Sequence, residues 1–263
     1  HGKASRPQYI EAALPAPPWG CPAWPTPPCP MLLRPLLRLI RPGAVAALPS
    51  QCHICHAWPA QPLCGRCVAR FAQPVARCER CALPLTGDAR ICGACLKNPP
   101  PLDLCLAAVH YAWPWADRIT QFKFSAEPGL ATPLAALLGA APGVASALGA
   151  ADLLIPLPLS DQRLAERGYN PAQLLAERIA PARLPLRLDL LVRTRHTAPQ
   201  HDLPRAQRLR NVRGAYAVDP LLATQLAGCR VVLVDDVMTT GASLFDAARA
   251  VRGAGAAHVT ALA

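Results

Sequence analysis

The sequence predicts an α/β fold in which a parallel sheet is flanked by helices and preceded by a small cysteine-rich module. Three observations support this prediction. Residues 230–262 contain a β-branched apolar run, a helical pattern and a second apolar run, which together make a βαβ unit. Eight of the twelve cysteines form four Cys-x-x-Cys pairs. A hydrophobic content of 52% over 263 residues suffices for one α/β domain and a small module.

The first 49 residues are predicted to lie outside the folded domains. Residues 1–30 alternate Pro with Ala and Trp, so they lack helical and strand periodicity and are predicted to be disordered. Residues 31–41 form a short basic amphipathic stretch that we expect to pack on the folded body, with contact to a membrane surface as the alternative. No signal peptide is visible, and this predicts a cytoplasmic protein.

Residues 50–98 hold the four cysteine pairs and little else from which to build a core. Each pair can present two thiolates, so two pairs complete a tetrahedral site, and the module is predicted to be a double zinc ribbon with up to two structural zinc ions. Spacing does not determine which pairs share an ion. Iron–sulfur ligation and a thioredoxin-like redox role fit the spacing less well. The predicted ligands are Cys52, Cys55, Cys64, Cys67, Cys78, Cys81, Cys92 and Cys95.

A proline run at 99–101 separates this module from the second domain, which is predicted to span 102–263. Apolar runs predict strands at 104–112, 153–157, 188–192, 230–234 and 258–262, and helical spacing predicts helices at 115–124, 172–179 and 244–251. The uncharged stretch 128–151 is long enough to cross a bilayer. Because it is mostly Ala and Gly and contains Pro133 and Pro142, we predict two short buried helices there and no transmembrane segment.

The loop at 235–243 carries the strongest chemical signal. Asp235 and Asp236 end a predicted central strand, at the edge where open α/β sheets bind ligands. The Thr-Thr-Gly-Ala-Ser run that follows begins a helix, where backbone N–H groups favour a phosphate. The predicted phosphate-binding residues are Thr239, Thr240, Gly241, Ala242 and Ser243. A plain strand-to-helix turn is the alternative, and a Walker A loop fits worse because no Gly-Lys-Ser/Thr follows the strand.

The remaining candidates are basic. The formal net charge of +11 comes mostly from arginine, which suits a phosphorylated ligand or nucleic acid, with a solvated basic surface as the alternative. The arginine-rich segment 193–213 is expected to close over a polyphosphate, and its candidates are Arg193, Gln200 and Arg208. Lys123, after an early helix, and Arg167, near a predicted strand end, are further anion-binding candidates.

The order of these motifs resembles that of the ComF family, phosphoribosyltransferase-like proteins associated with DNA uptake in competent bacteria. The matching motifs are the four cysteine pairs, Phe-Lys-Phe at 122–124, Pro-Leu-Pro at 156–158, Arg-Gly-Tyr-Asn at 167–170, the segment 193–211 and the loop 231–243. The resemblance implies a type I phosphoribosyltransferase-like sheet behind a double zinc ribbon. It also implies that the ligand is phosphoribosyl pyrophosphate (PRPP) bound with Mg²⁺, or another phosphorylated ribose such as ribose 5-phosphate. It implies that Asp235 and Asp236 bind the ribose hydroxyls and that residues 239–243 hold the 5′-phosphate. Residues 1–30 lie outside it.

Two functional hypotheses follow. In the first, Asp235, Asp236 and Lys123 belong to a catalytic site where a nitrogen nucleophile displaces pyrophosphate from PRPP, with an acceptor that the sequence does not identify. In the second, the protein is a non-enzymatic DNA-uptake factor that binds single-stranded DNA or competence-machinery proteins on the same scaffold. Positive charge supports the second hypothesis, but stacking aromatics make up only 5% of the sequence.

Overall fold

The structure is a computed structural model, and it describes residues 50–125, 127–194 and 214–263. All of these residues belong to one compact unit. The predictions made for residues 1–49 and for 195–213, among them Gln200 and Arg208, lie outside the described residues.

After an initial helical module, the described elements are strands separated by one or more helices, except that β3, β4 and β5 follow one another without a described α-helix between them. The helices are α1 (Gly65–Phe71), α2 (Gly93–Lys97), α3 (Trp115–Phe124), α4 (Ala131–Gly139), α5 (Val144–Gly149), α6 (Asp161–Arg167), α7 (Pro171–Ile179) and α8 (Ala242–Gly253), with 3₁₀ turns at Pro128–Leu130 and Ala223–Leu226. The strands are β1 (Leu104–Leu106), β2 (Leu153–Pro156), β3 (Leu191–Arg193), β4 (Tyr216–Val218), β5 (Arg230–Val234) and β6 (His258–Leu262).

The cysteine-rich module consists of two similar units, each a turn followed by a short helix. The helix α1 begins directly after Cys64, and α2 begins directly after Cys92. Isolated β-bridges join residues 50 and 60 in the first unit and residues 77 and 84 in the second. Each unit therefore brings two cysteine pairs that are neighbours in sequence to one point.

A four-stranded sheet in the order β1-β6-β5-β2 forms the body, and every neighbouring pair in it is parallel. The strands predicted at 230–234 and 258–262 are confirmed with the same bounds, and β5 has a neighbour on each side, as predicted for a central strand. The predicted parallel sheet flanked by helices is therefore confirmed.

Alternate side chains of β5 enter two different cores, because successive residues of a strand point to opposite faces. Val231 and Leu233 pack with one face of α8, which includes Leu244 and Val251. Val232 and Val234 pack with helices α3, α4, α5 and α7 on the other face. Burial on both faces explains why this segment is an uninterrupted apolar run in the sequence.

Two predicted strands differ from the structure. The one predicted at 104–112 is limited to Leu104–Leu106, because the chain turns soon afterwards to begin α3 at Trp115. The one predicted at 188–192 becomes β3, which pairs antiparallel with β4 in a separate two-stranded sheet that we call the hood. The sequence did not predict β4, because its three residues are too short for a periodic pattern.

The uncharged stretch 128–151 forms two short helices, α4 and α5, as predicted. Their buried side chains, Leu134, Leu138, Val144 and Leu148 among them, belong to the core on the α3 side of the sheet. Within the described residues, no helix combines the length and apolarity needed to cross a membrane.

Candidate functional site

A cavity of about 600 Å³ opens at the carboxyl ends of β2 and β5. Its walls come from the β5–α8 loop (residues 235–241), the connection from β2 to α7, the end of α3 and the hood. Its lining includes Tyr111, Lys123, Phe124, Leu157, Pro158, Arg163, Arg167, Asn170, Arg193, Tyr216, Asp235, Asp236, Thr239 and Ser243. The structure thus brings together seven of the predicted site residues from four separate parts of the chain.

The β5–α8 loop delivers the N-terminus of α8 to this cavity. Gly241 is the N-cap residue with a φ of 77°, which a side chain rarely tolerates. A Cβ at this position would lie 2.5 Å from Phe245 Cζ and 2.7 Å from Met238 Cε. Thr240 Oγ1 accepts a hydrogen bond from the backbone N–H of Ala242 at 3.4 Å. The loop is therefore compact, with Thr239 and Ser243 facing the cavity from either side of Gly241.

The two adjacent carboxylates have different environments. Asp236 Oδ1 forms an ion pair with Lys123 Nζ at 2.8 Å, and both side chains are largely buried. Asp235 Oδ1 accepts the backbone N–H of Asp236 at 2.9 Å. Burial, and next the neighbouring Asp236 carboxylate, raise the pKa of Asp235 to about 8. The pair therefore combines a charged, lysine-held carboxylate with one that holds a proton near neutral pH.

Three arginines line the cavity together and form what we call the arginine wall: Arg163, Arg167 and Arg193. The Arg193 guanidinium lies 5.4 Å from the centre of the Tyr216 ring, and the Arg167 guanidinium lies 5.0 Å from that of Phe124. Burial, and then the positive charges of Arg193 and Arg167, lower the pKa of Arg163. Mutual repulsion of this kind is relieved by a bound anion, so the wall is suited to a phosphate group.

Sequence analysis missed Arg163 and Tyr216 as cavity residues. Arg163 precedes Arg167 by four residues on α6, a spacing that places two side chains on one helix face and could have identified it. Tyr216 has no such signal, because it reaches the cavity only through the pairing of β4 with β3. Burial first raises the pKa of Tyr216 to about 12, and Arg193 opposes that rise.

The corner between α6 and α7 is fixed by side-chain hydrogen bonds. Asn170 caps α7 by accepting the Ala172 N–H at 3.1 Å, and its Nδ2 donates to the Leu157 carbonyl at 2.9 Å. The Tyr169 hydroxyl donates to the carbonyl of Phe122 in α3. These bonds tie the end of α6, which carries Arg163 and Arg167, to the β2 end and to the helix that carries Lys123.

The eight cysteines form two groups of four, which answers the pairing that spacing left open. Residues 52, 55, 64 and 67 make the first cluster, residues 78, 81, 92 and 95 make the second, and all Sγ atoms within each lie within 4.8 Å of one another. Individual Sγ–Sγ distances are 3.9 Å for Cys52–Cys67, 3.6 Å for Cys55–Cys64 and 3.7 Å for Cys81–Cys92. A tetrahedron with Zn–S bonds of about 2.3 Å has edges of about 3.8 Å, so both groups fit zinc.

Backbone donors favour thiolates in these clusters. The N–H groups of Cys64 and Cys92 donate to the Sγ atoms of Cys52 and Cys78 at 3.4 and 3.3 Å. Burial opposes ionisation, but backbone N–H donors outweigh it and lower the pKa of Cys52 to about 6 and that of Cys78 to about 7. Burial, and next the neighbouring Cys55 thiol, raise the pKa of Cys67 to about 12. A divalent cation is the group that would let all four thiols ionise together.

Comparison with known proteins gives relatives that span most of the chain, although no protein-family model matches. DNA utilization protein YhgH of Salmonella typhimurium is 32% identical over 202 residues, covering 75% of this chain and 87% of that protein. Competence protein F of Haemophilus influenzae is 31% identical over 201 residues with the same coverage. Competence protein ComFC of Bacillus subtilis is 35% identical over 99 residues, 37% of each chain.

Among solved structures, glutamine PRPP amidotransferase from B. subtilis aligns with a TM-score of 0.31 at 20% identity. The alignment covers 54% of this chain and 30% of that one.

Proposed function

The chain belongs to the ComF family, and from that premise we propose that its cavity binds PRPP and that the protein serves DNA uptake. The observation that carries the ligand proposal is the arrangement of charge around the cavity. A helix N-terminus and a carboxylate pair lie on one side, and the arginine wall lines the same space. A ligand that fits this arrangement has hydroxyl groups between two anionic ends, and PRPP is such a molecule.

The β5–α8 loop is proposed to hold the 5′-phosphate. Its backbone N–H groups and the positive end of the α8 dipole favour a phosphate, and Gly241 allows close approach of the backbone. The hydroxyls of Thr239 and Ser243 line the cavity beside it and can donate further hydrogen bonds. Asp235 and Asp236 line the cavity just before this phosphate-binding segment, where their carboxyl oxygens can accept hydrogen bonds from the ribose hydroxyls.

The arginine wall is proposed to bind the pyrophosphate end. Guanidinium groups form bidentate hydrogen bonds with phosphate, and three of them neutralise most of its charge. The stacking of Arg167 on Phe124 and of Arg193 on Tyr216 limits the freedom that these side chains lose on binding. Lys123 contributes by holding the Asp236 side chain in place through their ion pair.

We propose that Mg²⁺ binds chiefly to the phosphate oxygens of PRPP. Mg²⁺ prefers carboxylate and phosphate oxygens, and the described lining of the cavity offers three carboxyl groups, those of Glu166, Asp235 and Asp236, of which Asp236 already pairs with Lys123. When bound, the ion supplies charge neutralisation at the leaving pyrophosphate. Its binding should therefore depend strongly on PRPP.

Phosphoribosyl transfer is the proposed activity. The bond between ribose C1 and the pyrophosphate oxygen breaks, a bond from C1 to a nitrogen nucleophile forms, and pyrophosphate leaves with the electron pair. The arginine wall stabilises the charge that develops on the leaving group. The described lining identifies no single acceptor, so we propose only that the acceptor is a nitrogen nucleophile.

Each cysteine cluster is proposed to bind one structural zinc ion. Four thiolates close the coordination sphere of zinc, which leaves no open position for a substrate. Two such sites account for all eight cysteines of the module. Thiolate sites of this kind persist in a reducing compartment, and we accordingly place the protein in the cytoplasm.

Calorimetric titration with PRPP and Mg²⁺ tests the ligand proposal. The wild type should bind saturably, and Asp235→Asn/Asp236→Asn should lose about tenfold in affinity, since the charge-assisted hydrogen bond of about 1.5 kcal/mol that the Lys123-paired Asp236 accepts is lost. The control is Asp189→Asn, which changes an exposed carboxylate paired with Arg187 away from the cavity lining. Equal affinity in the double variant and the wild type would refute the assignment of the ribose site.

Binding of single-stranded DNA is a second candidate function, and one surface feature favours it. Trp113 is 66% exposed and meets Phe71 edge to face at 5.0 Å, and the Arg70 guanidinium lies 5.2 Å from the Phe71 ring centre. Exposed aromatics beside arginine provide a stacking surface for bases. The names of the relatives, DNA utilization and competence proteins, agree with such a role, and competence-machinery proteins are the proposed partners.

Fluorescence anisotropy with labelled oligonucleotides tests this second function. Trp113→Ala should weaken binding by about tenfold, the value of one lost stacking contact, and the affinity should fall with rising salt. Leu221→Ala, which removes an apolar side chain that is 90% exposed in the β4–β5 connection, is the control. Equal DNA affinities of the two variants exclude the aromatic surface as the binding site.

A further inference from the structure

The second cysteine cluster touches the candidate ligand loop through one strand residue. The backbone N–H of Cys105, in β1, donates to the carbonyl of Glu79 at 2.6 Å. Glu79 lies between the cluster residues Cys78 and Cys81. On its other side, Cys105 Sγ lies 3.3 Å from Met238 Sδ in the β5–α8 loop. A continuous chain of contacts therefore runs from the cluster to the loop.

The Met238 side chain packs against Gly241 within the β5–α8 loop. Its Cε atom lies so close to Gly241 that an added Cβ would be only 2.7 Å away. A second, largely apolar cavity of about 210 Å³ is lined by loop residues 237–239 and by Arg77, Cys81 and Ala82 of the second cysteine unit. Atoms that line a cavity lack packing partners on one side, so the loop depends on the few contacts that bridge it.

A second contact joins the same cysteine unit to the other end of α8. Asp103 forms an ion pair with Arg252 near the end of α8 and another with Arg80 at 3.8 Å. Asp103 Oδ2 also accepts the backbone N–H of Val259 in β6 at 2.8 Å. The second cysteine unit is thus tied to α8 at both ends of the helix.

The first cysteine unit has different neighbours. The indole N–H of Trp115, in α3, donates to the carbonyl of Phe71 at 2.9 Å. Side chains of this unit, among them Ile54, Leu63 and Val68, pack against the core on the α3 side of the sheet. The two clusters therefore support two different elements of the cavity.

We infer that the second cluster, acting through Cys105 and Met238, is a positioning device for the β5–α8 loop. A metal ion bound by residues 78, 81, 92 and 95 keeps the contacts from Glu79 to Cys105 and from Cys105 to Met238 in place. The loop then keeps the geometry that accepts a phosphate. The first cluster instead holds α3. This inference rests on the proposed function for the identity of the ligand and of the metal.

Paired cluster variants test the inference on the full chain. Cys78→Ser/Cys81→Ser removes the second site and Cys52→Ser/Cys55→Ser removes the first, and each variant should lose one zinc ion. In the second-site variant, amide hydrogen exchange at 237–241 should become at least about tenfold faster, and PRPP should bind at least about tenfold more weakly. The first-site variant should exchange faster in α3 and remain within about twofold of the wild type at 237–241. Equal loop exchange in the two variants overturns the inference.

A second pair of variants keeps all eight cluster cysteines in case loss of a site unfolds the module. Met238→Ala should raise loop exchange about tenfold with zinc content unchanged, and Met238→Leu should restore it, because Leu and Met have similar volumes. Wild-type exchange in Met238→Ala contradicts the inference. If the wild type binds no PRPP, the proposed function fails, while the exchange measurements still decide whether the cluster supports the loop.

Discussion

Asp235 is the residue whose chemistry is most altered by its position. Its pKa is raised from an ordinary value of 3.8 to about 8, chiefly by burial. The folded protein therefore keeps a proton that the unfolded chain releases above about pH 4. The stability that comes from this proton is fully present below pH 4 and is lost as the pH rises through 8.

This shift predicts the pH dependence of folding. The free energy of unfolding of the wild type should fall relative to that of Asp235→Asn between pH 5 and 8, with a slope of at most about 1.4 kcal/mol per pH unit. Asn cannot ionise, so titrations elsewhere cancel in the difference. Urea unfolding at several pH values measures it, and a flat difference across this range contradicts the raised pKa.

Gly241 gives a prediction about loop geometry. Gly241→Ala should destabilise the fold by about 2–3 kcal/mol, because the residue has a left-handed φ and the new methyl group meets Phe245 and Met238. Gly228→Ala is a matched control, since Gly228 has a φ of 74° but nothing within 4 Å of an added Cβ. It should cost only the backbone strain of about 1–2 kcal/mol. Equal losses in chemical denaturation show that the side-chain contact has no effect.

Cavity residues that lie next to one another in the sequence could be predicted, whereas contacts between residues distant in the sequence could not. Asp235 and Asp236 end an apolar strand, and that local pattern is enough to place them at the ligand edge. The ion pair between Asp236 and Lys123 joins residues that are 113 positions apart, and no local pattern predicts that they meet. Tyr216 was missed for the same reason, since its place depends on hood pairing.

At the scale of elements, Asp246 connects α8 to the hood. Its side chain is 4% exposed and accepts the backbone N–H groups of Gly214, Ala215 and Tyr216 at 2.9, 2.8 and 3.1 Å. Gly214 and Ala215 lead into β4, whose first residue, Tyr216, lines the cavity. The position of the hood over the cavity therefore depends on one buried carboxylate of the helix beneath it.

Replacement of this carboxylate should loosen the hood. Asp246→Ala leaves three backbone donors without their acceptor and should cost about 3 kcal/mol of stability, with faster amide exchange in β3 and β4. Arg249→Ala is the control, because Arg249 pairs with Asp246 from a half-exposed position and should cost about 1 kcal/mol or less. If both variants lose the same stability, the backbone hydrogen bonds are not the main contribution of Asp246.

Strands buried on both faces could be predicted from the sequence with correct bounds, whereas the short edge elements could not. β5 is an uninterrupted apolar run because helices cover both of its faces. β1 and β4 have three residues each, and their ends are determined by partners distant in sequence. The local hydrophobic pattern does not show where such a partner lies, so it does not predict where these strands end.

At the scale of the whole molecule, the cysteine module and the sheet share their hydrophobic cores. Ala82 of the second unit packs with Val231 and Leu233 of β5. Phe71 and Ala72 of the first unit pack in the core that contains Trp115 and Phe122. The proline run at 99–101 therefore connects units that fold against each other, a packing that composition alone does not indicate.

This shared packing predicts the effect of metal removal. Chelation of zinc should lower the midpoint of a single thermal transition by about 5–10 °C, since each kcal/mol lost shifts the midpoint of a domain of this size by about 2–4 °C. Differential scanning calorimetry with and without chelator measures the shift, and added zinc should reverse it. An unchanged transition for the sheet after metal loss contradicts the shared core.

The central claim is that the cavity binds a ligand with an anionic group at each end. The most direct test compares the affinities of the wild type for PRPP and for ribose 5-phosphate by calorimetry at one Mg²⁺ concentration. We predict that PRPP binds at least about tenfold more tightly, and that Arg163→Gln reduces this preference while it leaves ribose 5-phosphate binding unchanged. Equal affinities of the wild type for the two ligands would contradict the claim.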